Sequence, residues 1–128
     1  MNSPLPLGSG DFKHQSVYIG SDIYVGCGSI ICPNCVLTIN IKLGTHSQLN
    51  LNTTIGHDCR IQDYFTTAPG AKISGNCNIG QGVYVGTNAS IKEKLTITDS
   101  VVIGLNCGVV KNLTECGVYV GVPAKKIK

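Results

Sequence analysis

The chain has 128 residues, 42% of them apolar and only 13% charged, with a net charge of +3. That is enough for one domain and too few for two, and it is too apolar for disorder. The charge is too small to imply nucleic-acid binding, and the lack of any run of eighteen apolar residues excludes a transmembrane helix.

The first stretch, Met1 to Gly10, lacks the basic-then-apolar pattern of a signal peptide. It reads as a short loose arm over residues 1–12 of a cytoplasmic protein. From Ile19 onward an aliphatic residue returns every sixth position: Val25, Ile31, Leu37, Leu43, Leu49, Ile55 and so on to Val109, broken only by Thr67. Four residues after each comes a second column, mostly small or aliphatic, which includes Ser29, Cys35, Ser47, Thr53, Cys59, Phe65, Ala71 and Cys77. A helix needs a period near 3.6 and a simple amphipathic strand a period of 2. A fixed period of six fits neither and signals a solenoid.

The spacing dictates the coil. The two inward residues of each hexad lie two apart on a short strand and share one face. Glycine follows the aliphatic position at Gly20, Gly26, Gly44, Gly56, Gly80, Gly86 and Gly104, where it is expected to turn the corner at φ values other residues avoid. Three short strands and three corners close one eighteen-residue triangle. Five to six such triangles, stacked by parallel β hydrogen bonds, make a prism roughly 25 Å tall over residues 13–122. The low charge suggests that part of its outer surface meets other subunits.

Seven cysteines invite a disulfide reading, but Cys35, Cys59, Cys77 and Cys107 fall in the small inward column, where a thiol acts as a small hydrophobe. The total is odd, so reduced thiols in a cytoplasmic protein are expected. Cys27, Cys32 and Cys116 lie off the column and are expected to be more exposed. The register breaks after Val109. Gly117 to Val122 is expected to add one more strand, and the basic tail over 123–128 to cap the open end, as repeat folds require.

Of His14, His46 and His57, the last stands out. It lies two residues after Ile55 on an outward corner, and Asp58 follows it. A carboxylate beside a histidine can hold one ring nitrogen and leave the other free as a base. On spacing alone, the pair is either that base or a solvent-exposed pair without a role. Adding eighteen to 57 gives Gly75, then Glu93, then Lys111. Gly75 is expected to set an unshielded backbone N–H about 4.8 Å from the level of the histidine. Acyl transfer needs that pairing: one group removes a proton and the other steadies an oxyanion. Lys111, Lys125 and Lys126 then suit phosphates farther along the same edge, or are simply solvated.

Four stretches carry a resemblance: Leu51-Asn52-Thr53-Thr54-Ile55-Gly56-His57-Asp58-Cys59, Ala68-Pro69-Gly70-Ala71, Gly75-Asn76, and Val118-Tyr119-Val120-Gly121-Val122-Pro123-Ala124-Lys125. With the early hexads His14 to Gly20, they resemble left-handed β-helix sugar acetyltransferases of the NeuD/PglD type. These include sialic acid O-acetyltransferases and nucleotide-aminosugar N-acetyltransferases. The resemblance implies an all-β, left-handed parallel β-helix that assembles as a homotrimer with active sites between subunits. It implies acetyl-CoA as donor, a sugar or nucleotide-sugar acceptor, and no metal. His57 matches the general base and Asp58 the residue that orients it. Gly75 matches the amide that contacts the thioester oxygen, and Gly86 lies where the pantetheine arm is expected. Lys111, Lys125 and Lys126 are expected near the nucleotide end of the coenzyme.

Two departures qualify the match. About a dozen residues stand where the family carries an N-terminal sugar-nucleotide domain, and Thr66 stands where it often has a second histidine. The alternative function is a non-catalytic trimeric β-helix scaffold. A third class, the γ-type carbonic anhydrases, sets three histidines on zinc in the same kind of coil. His46 and His57 are eleven apart and fall on different faces, which argues against an intrachain zinc site and leaves open one shared between subunits.

Overall fold

The computed structural model describes residues 12–128, so the expected arm lies outside them except for Phe12, which already belongs to the first strand, Phe12–Lys13. Every element is a β-strand, and all but the last pair in parallel. The pairing offset is the eighteen residues that the hexads require: Ile30 faces Gln48, Thr54 faces Lys72 and Asn78 faces Thr96. Three faces result. One runs from Phe12–Lys13 through Ile30–Ile31, Gln48–Leu49, Thr66–Thr67 and Tyr84–Val85. The other two are joined in a single sheet, because the eight-residue strands Tyr18–Val25 and Val36–Leu43 continue through a corner. Beyond them the faces separate, one along Thr54–Ile55 and Lys72–Ile73, the other along Arg60–Ile61 and Asn78–Ile79. The fold is the left-handed parallel β-helix of hexapeptide repeats.

Both inward columns form the core. Leu37, Leu43, Leu49 and Ile55 are fully buried, as are Cys35, Cys59, Phe65 and Ala71 from the small column. Ile19, in the first coil, is only partly buried. Thr67 interrupts the aliphatic column without leaving a polar group unpaired. Its hydroxyl lies 2.7 Å from the Thr53 hydroxyl and accepts the Asn50 N–H at 3.1 Å, while Thr53 Oγ1 donates to the Asn50 carbonyl at 2.9 Å. Buried polar groups survive where they are hydrogen-bonded, and this pair is closed on itself. The inward cysteines also do more than fill space. Cys35, Cys59 and Cys77 donate to the carbonyls of Asn50, Ser74 and Lys92 at 3.0, 3.3 and 3.3 Å, bridging one coil to the next.

The corners differ from the sequence reading. The glycines one residue after the aliphatic position do not supply the left-handed turn. That conformation falls two residues later, at Asp22, Asn34, Asn40, Asn52, Asp58, Asn76, Asn88 and Asn106, and at Gly28, Gly70 and Gly82. Asn and Asp tolerate it because their short side chains hydrogen-bond locally. The glycines at the earlier position answer to crowding instead. A Cβ on Gly56 would lie 2.7 Å from the Gly75 nitrogen, and one on Gly86 would lie 2.7 Å from the Gly104 carbonyl carbon. The misfits among the corner residues are Lys94 at φ 65°, Tyr64 at φ 60° and Ser100 at φ 57°, with His46 at φ 52°. Left-handed backbone costs an ordinary residue roughly 1–2 kcal/mol. Lys94→Asn is therefore expected to stabilise the protein by up to about 1 kcal/mol, read as a higher urea midpoint at unchanged slope. A lower midpoint would contradict this account of the corners.

The eighteen-residue period ends at the top. Ile97 bridges Leu113, and Ile103 faces Tyr119, so the last coil is two residues shorter. Gly117–Val120 then turns back to pair antiparallel with Lys125–Lys126, Tyr119 opposite Lys126. The basic tail is thus the last strand, with the Ile127 N–H on the Val118 carbonyl at 2.8 Å.

Candidate active site

The corner Gly56-His57-Asp58 joins the strands Thr54–Ile55 and Arg60–Ile61. Asp58 takes the left-handed φ of 60°, and its N–H donates to the Ile39 carbonyl one coil below at 3.0 Å. That backbone twist turns both side chains outward, where they stay 58% and 46% exposed. His57 Nδ1 lies 2.9 Å from Asp58 Oδ2. The second carboxylate oxygen, Oδ1, accepts from Asn40 Nδ2 at 2.6 Å. The hydrogen bond from His57, and then the one from Asn40, hold the Asp58 carboxyl below the usual carboxylate range. The group is therefore charged at neutral pH and stays so further into acid than an ordinary aspartate. An ionised carboxylate only accepts, so the proton of this pair sits on Nδ1. In the neutral ring this leaves Nε2 as the acceptor.

Gly75 lies one coil above, as the eighteen-residue step predicts, and the Asn76 N–H donates to the His57 carbonyl at 2.7 Å. A Cβ built on Gly75 would overlap His57 Nε2. The absence of a side chain at 75 is what lets the imidazole lie there. Gly75 is buried, so its amide is not the unshielded group expected from the sequence. Among the described residues, its N–H makes no backbone hydrogen bond, while its carbonyl accepts from Lys94 N–H at 3.0 Å.

The other predicted residues divide into two groups. Lys111 and Lys126 line one cleft of about 250 Å³ at the C-terminal end, together with Asn112, Glu115 and Tyr119. Lys126 Nζ is 3.9 Å from Glu115 Oε1. Lys125 is exposed on the final strand and does not line that cleft. Gly86 is not brought to the edge of His57. It sits at a different corner, after Tyr84–Val85, and its N–H is committed to the Ile103 carbonyl at 2.8 Å. Thr66 lies on another face, in the strand Thr66–Thr67. His46 stacks on Tyr64 at 5.5 Å between ring centroids, away from His57. Among the described residues, no three His, Cys, Asp or Glu side chains converge into a metal-binding group. Nor is any helix among them long and apolar enough to cross a membrane.

Sequence reasoning missed Asn40 and Arg60. Arg60 Nη1 donates to the Asn40 carbonyl at 2.8 Å and to the Cys59 carbonyl at 2.9 Å, and Nη2 donates to Asn40 Oδ1 at 3.0 Å. The signal was available, since Asn40 stands eighteen residues before Asp58.

The coil places the chain in the hexapeptide-repeat class, and within that class it is similar to the sugar acetyltransferases. No protein-family model matches it. GDP-perosamine N-acetyltransferase of Escherichia coli O157:H7 is 36% identical over 81 residues, which are 63% of this chain and 37% of that protein. WeeI of Acinetobacter baumannii AYE superposes with a TM-score of 0.82 at 34% identity, over 93% of this chain and 56% of that one. The acetyltransferase domain of PglB from Neisseria gonorrhoeae, solved in complex with acetyl coenzyme A, gives a TM-score of 0.78 at 25% identity. That match covers 97% of this chain and 58% of the other. The chain thus spans little more than a third of the curated relative and rather more than half of the solved chains.

Proposed function

We propose that the chain is an acetyl-CoA-dependent acetyltransferase acting on an amine or hydroxyl of a sugar or nucleotide-sugar. The observation that carries this reading is the His57–Asp58 pair set against Gly75, with Nδ1 engaged by Asp58 and Nε2 lying against Gly75, whose N–H has no backbone acceptor among the described residues. The donor supplies an activated acetyl thioester. His57 Nε2 takes the proton from the acceptor nitrogen or oxygen as that atom bonds to the acetyl carbon, and returns it to the departing sulfur. Asp58 holds the Nδ1 proton throughout and steadies the imidazolium between the two transfers. The Gly75 N–H donates to the carbonyl oxygen as negative charge builds there. Lys111 and Lys126, with Lys125 beside them, are positioned for the charged nucleotide end of the coenzyme. Gly86, at another corner, reaches the donor only from a neighbouring subunit. The working form is a cytoplasmic homotrimer. Exposed apolar side chains along one sheet support subunit contacts: Phe12, Ile30, Tyr84 and Val102.

Calorimetric titration of the protein with acetyl-CoA tests the reading. Saturable binding at one site per chain is expected, and Gly75→Val should weaken it at least about tenfold, because a side chain there drives into the histidine and covers the N–H. No heat of binding at millimolar coenzyme would leave a β-helix scaffold and remove the catalytic role from His57.

A further inference from the structure

We infer that Arg60 and Asn40 form a positioning pair that sets the tautomer of His57 through Asp58. For its catalytic meaning the inference rests on the function proposed above. For its structural meaning it rests on five hydrogen bonds alone.

The chain of contacts has one chemically allowed direction. Arginine only donates, so the atom of the Asn40 amide that faces Nη2 at 3.0 Å is its oxygen. The amide nitrogen must then point the other way, and it meets Asp58 Oδ1 at 2.6 Å. An ionised carboxylate only accepts, so this end is also matched. Asp58 Oδ1 is thereby occupied, its carboxylate plane is fixed, and Oδ2 remains for His57 Nδ1 at 2.9 Å. Each link decides the next, from guanidinium to amide to carboxylate to imidazole.

The links are also held from the backbone. Nη1 donates to the main-chain carbonyls of Asn40 and Cys59 at 2.8 and 2.9 Å, so one guanidinium ties together the two coils that carry Asn40 and Asp58. Asn40 takes φ 53° and Asp58 takes φ 60° at equivalent corners, which aims both short side chains along the same edge. The effect is geometric rather than a matter of charge, because a point charge at 60 could not hold the amide in one orientation. Lys42, the adjacent cation on that face, is placed over the Tyr24 ring at 6.0 Å. Neutral imidazole favours the Nε2–H form when nothing holds Nδ1–H. A base needs the reverse, and a partner on Nδ1 is what selects it.

Side-chain nitrogen NMR of the ¹⁵N-labelled full chain at neutral pH reads this directly. His57 is assigned by His57→Gln, and His14 and His46 serve as internal references. In the parent protein, His57 is expected as a single tautomer with Nδ1 protonated and Nε2 bare. Asn40→Gly removes the amide without straining a left-handed residue, and Arg60→Lys keeps the charge without the fork. Both are expected to shift His57 toward the Nε2–H form while His14 and His46 stay unchanged. In turnover, kcat is expected to fall about tenfold with KM for acetyl-CoA unchanged, less than the ~10²-fold or more that loss of the base itself costs. A parent-like His57 pattern in either folded variant overturns the positioning role. If the parent protein turns over no acetyl-CoA at all, the acetyltransferase reading falls, and the tautomer spectra still decide the role of Asn40 and Arg60.

Discussion

His57→Ala is expected to lower acetyl transfer by about 10² to 10⁴ in kcat, the range that a positioned general base contributes. The two nitrogens of the ring have separate tasks, and alanine removes both. Nδ1 keeps the proton shared with Asp58 at 2.9 Å, and Nε2 lies against Gly75. Without Nε2 the acceptor must lose its proton to water as it attacks. Stability should hardly change, because the side chain is 58% exposed and its one interstrand tie, the carbonyl bond to Asn76 N–H, belongs to the backbone. Surface substitutions of this kind usually stay within about 0.5 kcal/mol. Coenzyme binding should also survive, since alanine leaves the Gly75 backbone in place and puts no side chain against it. The decisive experiment pairs calorimetry with a transfer assay over amino-sugar, hydroxyl-sugar and nucleotide-sugar acceptors. Bound acetyl-CoA without turnover is the expected result. Parent-level turnover in His57→Ala would end the assignment of the base.

The period of six carried most of the fold, because each hexad repeats the same two inward positions and nothing else satisfies that spacing. Even Phe65, far larger than its column neighbours, is buried where the repeat puts it. The corner chemistry was harder to read. Glycine attracts a turn reading wherever it recurs, yet Gly56 and Gly86 are glycine because the next coil passes too close for a Cβ. The left-handed positions were occupied mainly by Asn and Asp, whose tolerance of that backbone is weaker as a signal and was overlooked. Within the site, the step of eighteen placed Gly75 over His57, since stacking register follows from period alone. It did not show that the imidazole lies against Gly75 where a Cβ would stand, because side-chain rotation is not a property of the period. Arg60 was invisible for a related reason. Its reach to Asn40 runs between coils and across a corner, and a long flexible side chain is not located by the position of its Cα. Gly86, which only the resemblance puts near the pantetheine arm, lies off the eighteen-residue step from His57, and its N–H is in a ladder bond to Ile103.

Phe65→Ala is expected to cost about 3–5 kcal/mol, the usual range for deleting a fully buried phenylalanine. Phe65 heads the largest side chains with no measurable exposure, and it stacks in the inward column between Ser47 and Val83. Ser29 lies one coil further down, and it and Ser47 are nearly or fully buried. Their hydroxyls turn aside to the Gly26 and Gly44 carbonyls at 2.8 and 2.9 Å, and Phe65 is the one large side chain in that stretch of the column. Those serines are fixed by hydrogen bonds and cannot expand to close a cavity. The cost should therefore fall near the upper part of the range. It should also spread, since each coil in a solenoid is stabilised only by its neighbours, and Phe65 sits in a middle one. Leu113→Ala offers the contrast. Leu113 is also buried, at 7% exposure, but lies in the shortened last coil, beside Ile97 through a single bridge. Urea unfolding followed by circular dichroism should show a large midpoint shift for Phe65→Ala and a smaller one, with early fraying, for Leu113→Ala. If the two variants shifted equally, burial alone would set the energetics, and the place of Phe65 in a middle coil would have no special weight in holding the coils that carry His57.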